Sequence, residues 1–93
     1  MAFFVYILEC LDGSYYTGYT DDVSKRILKH KSGKGSKYVR AKGFKELVYS
    51  EEFSSKELAM KREYFIKNSN RAYKEELVNY SWDQNLIIFG SPN

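Results

Sequence analysis

The sequence predicts a small α+β domain, and three observations predict it. Two runs rich in β-branched and aromatic residues flank an Asp12-Gly13 turn. A third such run follows at residues 44–53. The stretches between and after these runs carry helix caps and apolar residues at helical spacing. Ninety-three residues suffice for one domain, and a content of 43% apolar and 17% aromatic residues is enough to fill its core.

Phe3 to Cys10 reads as a strand and Tyr15 to Thr20 as its hairpin partner. The loop length decides which residues meet. A two-residue loop sets Tyr6 opposite Tyr19 and sends Tyr16 to the other face. A three-residue loop, with Gly13 left-handed, sets Tyr6 opposite Gly18 and makes Tyr6 and Tyr16 diagonal neighbours on one face, about 7–8 Å apart. In that register Gly18 leaves open space beside Tyr6.

Thr20 or Asp21 is placed to cap a helix reaching about Lys31, with Asp22 in its first turn and Val23 and Ile27 on its apolar side. Arg26 and His30 lie four apart and share a neighbouring face. Gly33 ends this helix, and residues 33–36 form a basic loop that lacks phosphate-cradling GxxxxGK[ST] spacing. Tyr38 to Ala41 carries no decisive pattern. Phe44 to Phe53 reads as a third strand joining the hairpin in one sheet.

Ser54 and Glu57 have the spacing of a capping box, which predicts a helix from Ser55 to about Asn68. Its inward stripe is Leu58, Ala59, Arg62, Phe65 and Ile66, with Glu63 beside it. Asn70 is placed to cap a last helix, Arg71 to Tyr80, with Ala72, Leu77 and Val78 available for packing. The expected organisation is one domain over residues 1–80 and a tail over residues 81–93. Trp82 and the run Leu86-Ile87-Ile88-Phe89 are expected to form an extra edge strand, a cover on the core or a dimer contact, and a homodimer or a protein partner is an expectation for the chain as a whole.

A single cysteine, Cys10, excludes an internal disulfide framework and fits a reducing compartment; a buried strand thiol is the expectation. Neither a charged-then-apolar leader nor an apolar run of about 18 residues is visible, so a cytoplasmic location away from membranes is expected. The net charge of +3 is mild, but its distribution is uneven. Lys29 to Lys45 holds seven Lys and Arg residues and no acidic one, whereas the remainder carries eight basic against twelve acidic residues. A positive patch on a slightly acidic body points to a polyanion partner.

These pieces, in this order, resemble the GIY-YIG nuclease superfamily. Within it the chain is similar to a small stand-alone bacterial group and to the catalytic domain of structure-specific endonuclease subunits. The matching stretches are Val5-Tyr6-Ile7-Leu8, Asp12 to Gly18, Arg26 to His30, Ser32 to Tyr38, and Ala59 to Glu63 with Ile66-Lys67. They span Phe3 to Leu77. Val5 stands where the first motif has Gly, and Thr17 where the second has Ile; neither position supplies side-chain chemistry.

The resemblance implies a three-stranded antiparallel sheet flanked by three helices, and hydrolysis of a phosphodiester assisted by one divalent ion, Mg²⁺ or Mn²⁺. It carries Tyr6 and Tyr16 over as the motif tyrosines, Arg26 and His30 as the helix arginine and histidine, and Glu63 as the metal-binding glutamate. The chemistry suits these residue types. Tyr6 as a phenolate could take a proton from water while Tyr16 orients that water. Arg26 suits a non-bridging phosphate oxygen, His30 could serve as base, acid or donor, and Glu63 is a hard oxygen ligand.

Lys34, Lys37, Arg40 and Lys42 would hold a nucleic-acid backbone, with Tyr38 able to stack on a base. The function expected is a metal-dependent DNA endonuclease of low sequence specificity, acting in repair or recombination. The alternative is a nucleic-acid-binding module that acts with a partner and does not turn over.

Overall fold

The computed structural model describes residues 2–79, so the tail expected over residues 81–93 lies outside the described residues. Strand β1 (Phe3–Cys10) and strand β2 (Tyr15–Thr20) form the hairpin, and β3 (Phe44–Phe53) pairs on the other side of β1. The sheet is antiparallel throughout, in the order β2-β1-β3. Gly13, with φ 86°, donates its N–H to the Cys10 carbonyl at 2.9 Å, while the Cys10 N–H donates to the Ser14 carbonyl at 2.8 Å. The hairpin therefore takes the three-residue loop. Tyr6 faces Gly18 and Leu8 faces Tyr16.

Among the described residues, four helical segments accompany the sheet. Helix α1 (Val23–Lys31) is capped by Asp22, whose carboxylate accepts the Lys25 N–H, and not by Thr20 or Asp21. Thr20 is still paired with Phe4 in the ladder, and its hydroxyl instead accepts the Asp22 N–H at 3.1 Å. The helix begins only at Val23, so the cap falls on Asp22, the residue directly before it. The sequence around Tyr38 resolves into a short helix, α2 (Lys37–Lys42), capped by Ser36 through the Val39 N–H. Buried Val39 anchors it to the sheet.

Helix α3 (Lys56–Lys67) starts one residue later than the capping box requires. Ser55 is the cap, accepting the Leu58 N–H, because β3 runs through Phe53 and two residues are needed to turn. Asn70 does cap the next helical stretch, residues 71–79, accepting the Tyr73 N–H at 2.9 Å.

Alternation along β1 sorts the core into two layers. Val5 and Ile7 pack with Tyr49, Ala59 and Ile66 under α3, joined by Tyr73, Leu77 and Val78 from residues 71–79. Tyr6, Leu8 and Cys10 pack with Val39 and Ile27 under α2 and α1. Cys10 is a buried free thiol.

The inward face of α3 is turned from the expected stripe. Leu58 and Phe65 are exposed, while Ala59 and Ile66 are buried and Arg62 and Glu63 are half-buried. Arg62 causes the turn. Its Nε donates to Glu51 Oε1 at 2.6 Å and its Nη1 to the Tyr73 hydroxyl at 3.1 Å, and the Tyr49 hydroxyl donates to Glu51 as well. These bonds tie α3 to β3 and to the stretch after it, and they carry Glu63 toward the sheet. Ala72 is exposed and contributes nothing to the core.

Candidate active site

Tyr6 and Tyr16 come to one face because the hairpin register makes them diagonal neighbours; their rings lie 6.4 Å apart between centroids. Helix α1 delivers Arg26 and His30 to the same face, one turn apart. The Tyr6 hydroxyl and His30 Nε2 are hydrogen-bonded at 2.9 Å. The edge of the His30 ring also meets Tyr16, with centroids 5.4 Å apart. Tyr6, Tyr16 and His30 thus form one triangle, with Arg26 near enough for its charge to act on both Tyr6 and His30.

The two tyrosines differ in access. Tyr6 is 1% exposed. Burial, reinforced by the Tyr16 phenol and opposed by the Arg26 guanidinium, pushes its pKa up to about 12, and the Glu63 carboxylate adds to the rise. His30 is also buried. Burial and then Arg26 hold its pKa below the ordinary histidine value, so the ring is neutral at neutral pH. Its other nitrogen, Nδ1, is buried without a hydrogen-bond partner.

Tyr16 is half-buried and lines a cavity of about 210 Å³ at the free edge of β2. The other walls are Tyr15, Thr17, Tyr38, Lys67 and Lys74. Tyr38 stacks on Tyr16 at 6.0 Å, and Lys42 sits 5.8 Å above Tyr38 while pairing with Asp12 at 3.1 Å. Lys34, Lys37 and Arg40 gather elsewhere, around an open cleft with Gly33 and Ser36. The expected basic residues therefore divide. Three line the cleft, Lys42 is engaged at the hairpin turn, and Tyr38 belongs to the cavity.

Lys67 and Lys74 were not among the expected binding residues. They come from α3 and from residues 71–79, remote in sequence from the basic stretch, and only the fold sets them beside Tyr16. For Lys67 the signals were its place in the matching stretch and its helical spacing from Glu63, which reads equally well as a surface pair.

Glu63 has a side chain 19% exposed, and Lys67 Nζ lies 3.8 Å from its Oε2. Among the described residues no three His, Cys, Asp or Glu side chains gather around a metal position. A single sheltered carboxylate beside a cavity is nevertheless a donor set that fits Mg²⁺ or Mn²⁺, since Mg²⁺ takes one or two carboxylates and completes its shell with water and phosphate oxygens.

The pattern described as the GIY-YIG catalytic domain matches residues 2–76, most of the chain. The chain belongs to the GIY-YIG family. It is 58% identical over 78 residues to the UPF0213 protein BH0048 of Halalkalibacterium halodurans, covering 84% of this chain and 83% of that one. It is 46% identical over 86 residues to a UPF0213 protein of Streptococcus pneumoniae serotype 4, covering 92% and 87%. The solution NMR structure of UPF0213 protein BH0048 from Bacillus halodurans is similar with a TM-score of 0.56 and 56% sequence identity, over 86% of this chain and 85% of that chain.

As a GIY-YIG domain the chain falls in a nuclease superfamily whose members act on nucleic acid and generally depend on a divalent metal. The small stand-alone group expected from the motifs is the one its relatives form. No helix among the described residues is long and apolar enough to cross a membrane.

Proposed function

We propose that the protein is a divalent-metal-dependent endonuclease that hydrolyses DNA phosphodiester bonds with low sequence specificity, in repair or recombination. One observation carries the reading: a cavity-facing tyrosine, Tyr16, stands over a buried Tyr6–His30 hydrogen bond beside an arginine and a sheltered glutamate.

The roles follow from access and charge. Tyr16 is the phenol a water molecule can reach, so it orients the attacking water and, once it has given up its own proton to solvent, takes the water's proton as its phenolate. Tyr6 is too buried, and holds its proton too firmly, to be that base; its bond to His30 instead fixes the ring that borders Tyr16. This moves to Tyr16 the base role that sequence alone assigned to Tyr6. Arg26, always charged, neutralises the non-bridging oxygens of the scissile phosphate. Glu63 holds the metal, which when bound polarises the phosphate and assists the leaving oxygen. Lys67 and Lys74 hold the backbone at the cavity, and Lys34, Lys37 and Arg40 hold it at the separate cleft. None of these groups reads a base edge, hence the low sequence specificity.

The Lys67–Glu63 pair favours a second reading, because an ammonium beside the carboxylate occupies the place a cation would take. In that reading the chain binds nucleic acid for a partner and does not cut it. Labelled DNA incubated with Mg²⁺, Mn²⁺ or EDTA, using wild type and Glu63→Ala, separates them. Metal-dependent cutting abolished in Glu63→Ala, with binding retained, supports the nuclease; salt-sensitive binding without cutting under any condition supports the module.

A further inference from the structure

The His30 ring is held in an unusual way. A histidine that works on a neighbouring group normally has its second nitrogen steered by a carboxylate or a backbone carbonyl. Here Nδ1 has no hydrogen-bond partner, so one bond, between Nε2 and Tyr6, and the packing around the ring set its orientation. The packing on the Nδ1 side comes from Gly35. A methyl group on Gly35 would lie 2.5 Å from Nδ1 and 2.8 Å from both Cε1 and Cγ, closer than a Cβ can approach. On the far side of the pair, a methyl on Gly18 would lie 2.6 Å from the Tyr6 hydroxyl oxygen. The hydrogen-bonded pair is pressed between two bare glycine Cα positions, one on β2 and one on the segment before α2.

We propose that Gly35 is a positioning residue: its bare Cα is the wall that seats the His30 imidazole against the Tyr6 hydroxyl. Gly35 does not have a left-handed backbone; among the described residues the positive-φ glycines are Gly13, Gly33 and Gly43. Its backbone therefore carries no left-handed penalty for alanine, and the three nearest atoms an added methyl would meet all belong to the His30 imidazole. Gly35 also lies between Lys34 and the α2 cap Ser36, so the seat is built into the basic segment that lines the open cleft. In activity the proposal rests on the nuclease reading above; in geometry it stands independently.

The test combines Gly35→Ala, His30→Ala and the double variant with NMR of the imidazole, whose signals are unambiguous because the chain has one histidine. In Gly35→Ala the His30 ring resonances shift, and its titration moves toward the ordinary value of about 6.5 as the ring leaves its seat among Tyr6, Tyr16 and Arg26. Cleavage at saturating DNA falls by about 10²-fold with KM little changed, as expected for roughly 1 Å of misplacement. In the His30→Ala background, Gly35→Ala costs no further stability or rate.

Unmoved His30 resonances in Gly35→Ala would overturn the proposal, as would an equal stability cost with and without the imidazole. If wild type cuts no DNA, the nuclease reading fails, while the NMR and stability cycle still decide the role of Gly35.

Discussion

Tyr6 and Tyr16 belong to one hairpin and one sheet face, yet they end in different surroundings: one is covered and the other opens on a cavity. Replacing Tyr16 with Phe is expected to slow cleavage by about 10²–10⁴-fold, the usual worth of a positioned proton acceptor, with binding unchanged in a gel-shift assay. Tyr6→Phe removes a buried hydrogen bond and leaves His30 Nε2 without a partner. It is expected to cost about 1–3 kcal/mol of stability as well as activity, measured by denaturant unfolding. A Tyr16→Phe enzyme as fast as wild type would contradict the assignment. At this scale the sequence was informative about identity and register but silent about access. The three-residue loop could be weighed from Leu11, Asp12 and Gly13, whereas the burial of Tyr6 depends on Ile27, Val39 and His30 arriving from elsewhere.

The strands were legible in full, from Phe3 to Cys10, Tyr15 to Thr20 and Phe44 to Phe53, because β-branched and aromatic runs end at strong turn residues. Helix starts slipped by a residue or two because neighbouring Thr20, Asp21 and Asp22, or Ser54 and Ser55, all have capping side chains. Which one caps is decided by where the strand lets go. Helix α2 was not legible; its six residues hold one buried anchor, Val39, too short a stretch for a periodic signal. The stripe of α3 was misjudged for an electrostatic reason. Apolar Leu58 and Phe65 yield the inner face to Arg62, whose partners Glu51 and Tyr73 lie eleven residues away in each direction. Arg62→Ala leaves Glu51 half-buried without its cation. A stability loss of about 1–3 kcal/mol is expected in thermal or denaturant unfolding, with a fall in metal-dependent activity as Glu63 loses its support. Unchanged stability would mean the network holds nothing.

Over the whole molecule, the cations fall into two groups: Lys34, Lys37 and Arg40 in the cleft, Lys67 and Lys74 in the cavity that Tyr16 lines. Removing one phosphate-binding cation should reduce the slope of log affinity against log salt by roughly 0.9 on duplex DNA. Lys67→Ala and Lys74→Ala are therefore expected to flatten the slope as much as Lys37→Ala does; no change in slope would remove them from the interface.

Stability should also vary with pH in a defined way. His30 folds neutral with a lowered pKa, so the stability this gives is complete above about 6.5 and is lost as pH falls from there toward its folded value. Tyr6 and Tyr49 are both pushed up to about 12, chiefly by burial. Their contribution is complete below about 10 and is lost between 10 and 12, at up to about 1.4 kcal/mol per pH unit for each group. Unfolding midpoints across roughly pH 4 to 12 check both limbs, and His30→Ala should flatten only the acid one.

The most direct measurement of the central claim is single-turnover cleavage of labelled branched, single-stranded and duplex DNA by the full chain. Wild type, Tyr16→Phe and Glu63→Ala are compared with Mg²⁺ and with EDTA. Cutting by wild type in Mg²⁺ that EDTA abolishes, and that both variants lose while still binding DNA, is the predicted result. Cutting that persists in EDTA or in both variants would contradict the site, and wild type that binds but never cuts would contradict the activity.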